Sequence, residues 1–414
     1  MAISEVRVDP VGVGGALSGV RVLELGNYVA APSAARLLGD FGAEVIKVEQ
    51  PGVGDQVRHW RLFRGQTSMM WRTLGRNKKS ITIDIRTEEG QDLVRQLAAQ
   101  ADVLIENYRP GKLESWNLSI DELRRQNAQL IIVRISGYGQ TGPHRDLAGF
   151  GGVAEAMGGL RYVTGYPDRA PTRVGVSIGD TLAGLYGVIG ALMGLLAREQ
   201  GRAHLGETVD VALTEAVLSV MESTVPDYSA YGVVRERTGT AIRGVAPSNT
   251  YACADGQWVV IGGNTDAVYP RLMQMIGRGD LATDDRLRDN TGRAEHAQLL
   301  DDAIAAWAST KTLSEALELL KTALVPAGPI YAAPDIAKDP QFLARGMILE
   351  LEVEVEPGAT ESVLFPGVVP RLEQQPGRVG WLGPELGEHT DEILTGMLRL
   401  SDEQISALRA RKVV

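Results

Sequence analysis

Between residues 20 and 136 the chain alternates short apolar runs with longer amphipathic ones. Val20–Leu25 (VRVLEL) predicts a buried strand, and Pro32–Phe41 predicts a helix opened by a proline. Glu44–Glu49 (EVIKVE), Ser80–Ile85 (SITIDI), Asp102–Glu106 (DVLIE) and Leu130–Ser136 (LIIVRIS) predict further strands, with a helical run at Glu88–Ala99 among them. Such alternation implies an α/β fold with a mostly parallel sheet, helices on its faces and ligands at the carboxyl ends of its strands. The turn after the first strand reads Gly26-Asn27-Tyr28-Val29-Ala30-Ala31-Pro32 and contains no GxGxxG, which argues against a dinucleotide enzyme. The Gly12–Gly15 run precedes that strand and reads as a flexible leader.

Further on, Thr181–Ala197 (TLAGLYGVIGALMGLLA) is apolar but shorter than the roughly 20 residues that a bilayer span needs. Gly184, Gly187, Gly190 and Gly194 make one side of it small, so the expectation is a buried helix against which another backbone packs closely. Glu207–Met221 reads as a second amphipathic segment, and the polar stretch Pro226–Asn249 as a domain-crossing linker. Tyr251–Gly263 has the pattern of a hairpin turning at Asp255-Gly256. Helical runs follow near Ala267–Ile276, His296–Ala306 and Leu313–Leu324, and Pro326–Pro329 closes the region. A strand-like Met347–Val355 and a helical tail from Asp391 complete the chain. The predicted organisation is a large domain begun by residues 1–225, a small domain over 226–329 and a return to the large domain over 330–414.

Composition narrows the function. In 414 residues, 42 basic and 52 acidic side chains give a net charge of −10, which repels polyanions and disfavours nucleic-acid binding. Cys253 is the single cysteine, in keeping with a reducing cytosol, and the opening MAISEVRVDPVGVGG lacks the pattern of a signal peptide. A cytoplasmic protein without membrane attachment is expected. Five histidines in no HxH or HxxxH spacing give no expectation of a metal site.

Asp180 stands where Gly175-Val176-Ser177-Ile178-Gly179 meets the glycine-striped helix. Its position predicts a helix N-cap, a common role for aspartate. The same position suits a nucleophile, because a helix N-terminus favours the ionised carboxylate, which can attack a thioester. Position alone does not select it from 52 acidic residues.

Three stretches carry a resemblance: GNYVAAPSAARLLGDFGAEVIKVEQPGVGD (Gly26–Asp55), RNKKSITIDIRT with DVLIENYRPG (Arg76–Thr87 and Asp102–Gly111), and TRVGVSIGDTLAGLYGVIGAL (Thr172–Leu192). With the tail GPELGEHTDEIL they make the chain resemble the family III CoA-transferases (CaiB/BaiF) over nearly its whole length. The resemblance implies a Rossmann-like large domain with a smaller α+β domain, in an interlocked ring homodimer. It implies CoA transfer between carboxylic acids, with acyl-CoA as substrate and no permanently bound cofactor. Asp180 takes the position of the family's nucleophile. Tyr28, Val29, Ala30, Asn107, Tyr108 and Tyr138 take CoA-binding positions, with Lys78 and Lys79 as candidate phosphate partners, and Gly262-Gly263-Asn264 resembles a loop that closes over the intermediates. Ser136 and Ser115 stand where some members carry basic residues, which leaves Arg36, Arg76, Lys78, Lys79 and Arg109 as available cations.

Two alternatives stay open. A racemase of the same fold uses a histidine in an AGH segment, but this chain has Ala148-Gly149-Phe150, and phenylalanine cannot exchange a proton. A CoA-binding protein without catalysis is the other. Tyr166-Pro167-Asp168-Arg169 and Pro171-Thr172-Arg173 resemble members that take dicarboxylates, with succinyl-CoA as donor. A second carboxylate needs a cation, which Arg173 or Arg169 can supply unless it is paired with Asp168.

Overall fold

The computed structural model describes residues 14–202, 205–356 and 358–414. The opening residues, with the start of the Gly12–Gly15 run, lie outside the described residues. The chain divides into two compact units: Met1–Leu160 with Val174–Pro226 and Ala344–Val414, and Arg161–Arg173 with Asp227–Leu343. The joining of Arg161–Arg173 to the second unit is invisible in sequence order.

The first unit is built on β1 (Arg21–Glu24), α1 (Ala30–Asp40), β2 (Glu44–Glu49), β3 (Lys78–Thr82), α2 (Glu88–Ala98), β4 (Val103–Glu106), β5 (Ile131–Ser136), α3 (Gly151–Met157), α4 (Ile178–Glu199) and β6 (Thr208–Ala212). The six strands form one parallel sheet in the order β3-β2-β1-β4-β5-β6. This is the doubly wound order, whose direction reverses between β1 and β4, where such sheets open a crevice for ligands. Both faces are covered, so the central strands are buried along nearly their whole length, with short apolar runs interrupted by buried charges such as Glu24, Lys47 and Arg134. Leu23, Ile46, Leu104 and Ile132 face a core with Leu93, Leu97, Ile393 and Leu408. Their neighbours Val22, Val45, Val103 and Ile131 face Ala34, Leu38, Ala183 and Ala191 on α1 and α4.

The predicted strands and helices of this region are present, with one correction. Glu207–Met221 is not a single amphipathic segment; it is β6 followed by a helix over Leu213–Leu218. As an edge strand β6 buries only Val211 and Ala212 and carries the exposed Asp210, so its pattern runs into the helix without a break.

Helix α4 seats its glycines as expected. A Cβ on Gly184 would come within 2.7 Å of Ser33 Oγ and 2.9 Å of the Ala30 carbonyl, one on Gly187 within 3.2 Å of Val133, and one on Gly194 within 3.1 Å of Ile131. The other side of the helix leaves Leu185, Ile189, Met193 and Leu196 exposed. Among the described residues it is the one helix long and apolar enough to cross a membrane.

Residues from the end of the chain complete this unit. The Asn77 amide donates to the Arg378 carbonyl at 2.8 Å and accepts from Gly380 N–H at 2.7 Å. Trp71 Nε1 and Arg58 Nη1 both donate to the Pro384 carbonyl, and Asp84 N–H donates to the Val413 carbonyl.

In the second unit β7 (Ser248–Ala252) and β8 (Trp258–Gly262) form the predicted hairpin, with Gly256 in the left-handed region, and β9 (Ala327–Pro329) pairs antiparallel with β8. The predicted linker Pro226–Asn249 overlaps a helix at Thr224–Tyr231. Helices Tyr269–Met275, Ala297–Ala308 and Leu313–Thr322 pack around Val259, Ile261, Leu272 and Ile304.

Candidate active site

Buried charges shape the turn after β1. Lys47 Nζ donates to the Gly26 carbonyl at 2.7 Å and meets Glu24 Oε1 and Asp55 Oδ2 at 2.8 Å each. Asp55 accepts the Tyr28 N–H at 3.0 Å on its other oxygen. Lys78 pairs with Glu24 Oε2 at 2.7 Å and donates to the Pro32 carbonyl at 2.8 Å. Two cations balance two anions here, all fully enclosed, as buried ions require. Burial disfavours the Lys47 ammonium, but Asp55, Glu24 and Glu49 outweigh it and raise its pKa. Burial prevails at Lys78 and pulls its pKa down to about 8.

Held at both flanks, Tyr28 adopts φ +67°, a left-handed backbone that tyrosine rarely takes. Its ring is exposed and lies 5.4 Å from the Trp60 ring. Val29 and Ala30 bury their side chains at the start of α1, so they can offer a ligand only main-chain groups at a helix N-terminus.

Asn107, just past β4, stitches this turn to the next strand. Its Oδ1 accepts the Asn27 N–H at 2.8 Å and its Nδ2 donates to the Asn27 carbonyl at 2.7 Å. Tyr108 stands edge-on to Trp116 at 5.0 Å, and burial pushes its phenol up to about 12. Its N–H donates to Glu106, whose carboxyl burial raises to about 7 against the pull of Arg134. A cleft of about 230 Å³, lined among others by Asn27, Tyr28, Tyr108 and Trp116, opens at this reversal of strand order. Tyr138, past the end of β5, is half-buried with its ring 5.9 Å from His144.

The predicted phosphate cations need correction. Lys78 is enclosed beneath the turn and has no surface to offer a phosphate. Lys79 lies near the amino end of β3, away from the carboxyl edge, and is held by Glu44 at 3.1 Å and Glu392 at 2.8 Å. Arg76 is buried against Asp40, and Arg36 lies within 3.7 Å of the same carboxylate. Arg109 remains exposed beside Tyr108, with one guanidinium nitrogen on the Asp146 carbonyl at 2.8 Å.

Asp180 is not the predicted N-cap. The chain enters α4 at Ser177, so Asp180 is its third residue and its side chain projects from the first turn. The half-buried carboxylate lies against Gly151, the first residue of α3, at a position where a Cβ would stand 2.8 Å from its Cγ. Two helix starts therefore meet at this carboxylate. Glu155, buried one turn further along α3, lies beside Gly179. Sequence reasoning missed Gly151 and Glu155. The Ala148–Gly152 run was informative only at Phe150, because a turn of α3 separates the two residues and nothing in the pattern ties them to Asp180.

The remaining candidates belong to the second unit. Arg173 is exposed and in no ion pair among the described residues, so the alternative pairing with Asp168 is not formed. Gly262 ends β8 with its N–H on the Pro326 carbonyl, and Gly263 N–H donates to the Pro247 carbonyl, both at 2.9 Å. Buried Arg293 donates to the Asn264 carbonyl at 2.8 Å.

Residues 17–390 match the family described as CoA-transferase family III. The chain is 48% identical over 400 residues to a succinyl-CoA–D-citramalate CoA-transferase of Chloroflexus aurantiacus, covering 96% of this chain and 98% of the relative. It is 40% identical over 402 residues to the alpha subunit of a succinyl-CoA–L-malate CoA-transferase of the same organism, covering 96% and 92%. Among solved structures it is similar to a CaiB/BaiF family protein from Brucella suis, with a TM-score of 0.82, 33% identity and coverage of 93% of this chain and all of that one.

Proposed function

The chain belongs to CoA-transferase family III, and on that premise we propose that it moves CoA from succinyl-CoA to a dicarboxylic acid with Asp180 as nucleophile. The observation that carries the proposal is the Asp180 carboxylate, half-exposed where the starts of α3 and α4 meet. The relatives named for succinyl-CoA with citramalate or malate support the substrate class.

In this mechanism Asp180 attacks the thioester carbonyl of succinyl-CoA, forming a succinyl-aspartyl anhydride and releasing CoA thiolate. The thiolate attacks the aspartyl carbonyl, leaving an aspartyl-CoA thioester and succinate. The acceptor carboxylate attacks that thioester to form a second anhydride and release the thiolate again. Attack of the thiolate on the acceptor's acyl carbon yields the new acyl-CoA and restores Asp180. The CoA thiolate released in each half is recaptured and succinate departs as the product acid, so the sequence balances without water, which the site must exclude to avoid hydrolysis.

The turn Gly26–Ala30, Asn107, Tyr108 and Tyr138 receive CoA in this reading, with Arg109 on a phosphate and Arg173 on the acceptor's distal carboxylate. Gly262-Gly263 shields the intermediates. The working form is an interlocked homodimer in the cytoplasm. The exposed apolar side of α4 supports a second copy as its cover, since the opposite side is already seated on the sheet and α1. Incubation with succinyl-CoA followed by peptide mass spectrometry tests the chemistry. An adduct on Asp180 is expected; its absence from an active enzyme would remove Asp180, and its absence with binding but no turnover would leave only a CoA-binding protein.

A further inference from the structure

Main-chain contact joins the end of β5 to the segment before α3, and that segment in turn carries Gly151 against the Asp180 side chain. Gly137, just past β5, lies against Gly149, where a Cβ on either would come within 2.7 Å or 2.6 Å of the other's Cα. Two residues later Gly151 opens α3, and a Cβ there would stand 2.8 Å from Asp180 Cγ and closer still to Oδ2. Gly151 is absent from the positive-φ glycines, so its backbone does not demand glycine. At the start of a helix alanine would be the better former. The missing side chain has one evident consequence: it makes room for the carboxylate.

We propose that Gly151 is a positioning residue for CoA transfer. It seats the Asp180 carboxylate against the main chain of α3, while Gly149 on Gly137 fixes that main chain relative to the end of β5, next to Tyr138. Any side chain at 151 turns the carboxylate off this seat. The proposal rests on Asp180 being the nucleophile, but its steric part stands without that reading.

Gly151→Ala is expected to fold and to bind CoA with a dissociation constant within about twofold of wild type. Formation of the Asp180 adduct from succinyl-CoA, followed by rapid quench and mass spectrometry, should slow about 100-fold, the effect of an ångström-scale misplacement of a reacting group. An adduct forming at the wild-type rate in the folded variant overturns the proposal. Melting temperatures give a second test that needs no activity, read as a cycle of Gly151→Ala, Asp180→Ala and the double variant. In the Asp180→Ala background, which has no carboxylate to displace, Gly151→Ala should hold or raise the melting temperature. Any loss it causes in the otherwise wild-type protein should disappear there. A loss of equal size in both backgrounds places the collision elsewhere and refutes the seat. If wild type itself forms no adduct on Asp180, the nucleophile reading fails while the thermal cycle still decides the steric one.

Discussion

At the scale of single residues, the third position of α4 separates chemistry from capping. Asp180→Asn and Asp180→Ala should keep the fold, losing about 0.3–1 kcal/mol of helix-terminus stabilisation, yet lose CoA transfer. A folded Asp180→Ala protein with wild-type turnover would contradict the mechanism. Arg173→Ala should lower the specificity constant for dicarboxylate acceptors by ten- to a hundredfold, about 1.5–3 kcal/mol for a charge-assisted hydrogen bond, and spare monocarboxylates. Lysine should rescue it only in part, for want of the planar fork; uniform loss across acceptors would rule the contact out. Glu106 links the site to pH. Its carboxyl titrates near 7 in the folded chain because burial disfavours the charge, against about 4.3 when unfolded. The folded state thus binds the proton more tightly, and the stabilisation present below about pH 4 is lost as pH rises through 7. Urea unfolding at pH 5 and pH 8 should show a smaller difference between the two for Glu106→Gln than for wild type; an equal difference would discharge Glu106 from this role. Little at this scale was legible in the sequence. Asp180 emerged by resemblance, and the enclosure of Lys78 and the pairing of Lys79 were hidden because a sequence displays charge without the carboxylates that surround it.

At the scale of elements the pattern spoke more clearly. The central strands announced themselves through short apolar runs and alternation between helical segments, and β6 escaped because its pattern passes straight into the helix that follows. The glycine stripe of α4 was likewise readable, although its partners were not: they are Ser33 and Ala30 on α1 and Val133, Val209 and Ile131 on the sheet. Gly184 is the most informative of these glycines, since its neighbours include the main chain that follows Tyr28. Gly184→Val should overpack this junction at a cost of about 1–3 kcal/mol and raise KM for succinyl-CoA more than it lowers kcat. Calorimetry and steady-state kinetics on one preparation would check both. A lower melting temperature with unaltered KM would show that α4 does not govern the turn.

For the whole molecule, the exposed Leu185, Ile189, Met193 and Leu196 form a ridge that the described chain leaves uncovered. For the interlocked homodimer proposed above, sedimentation across a thousandfold dilution should show a dimer throughout, because threaded rings part only by unfolding; a monomer at low concentration would refute the threading. The bonds that tie Arg58, Trp71, Asn77 and Asp84 to Pro384, Arg378, Gly380 and Val413 also have a consequence in time. A ribosome working from the amino end releases Asp227–Leu343 entire while the sheet-bearing unit still waits for its final segment. Until that segment arrives, Trp71 Nε1, Arg58 Nη1 and the Asn77 amide lack the main-chain acceptors it supplies and must turn to water instead. A chain halted by a premature stop shortly after Leu343 would carry a finished second unit on an unfinished first one, and the cell's proteases would meet it in that condition.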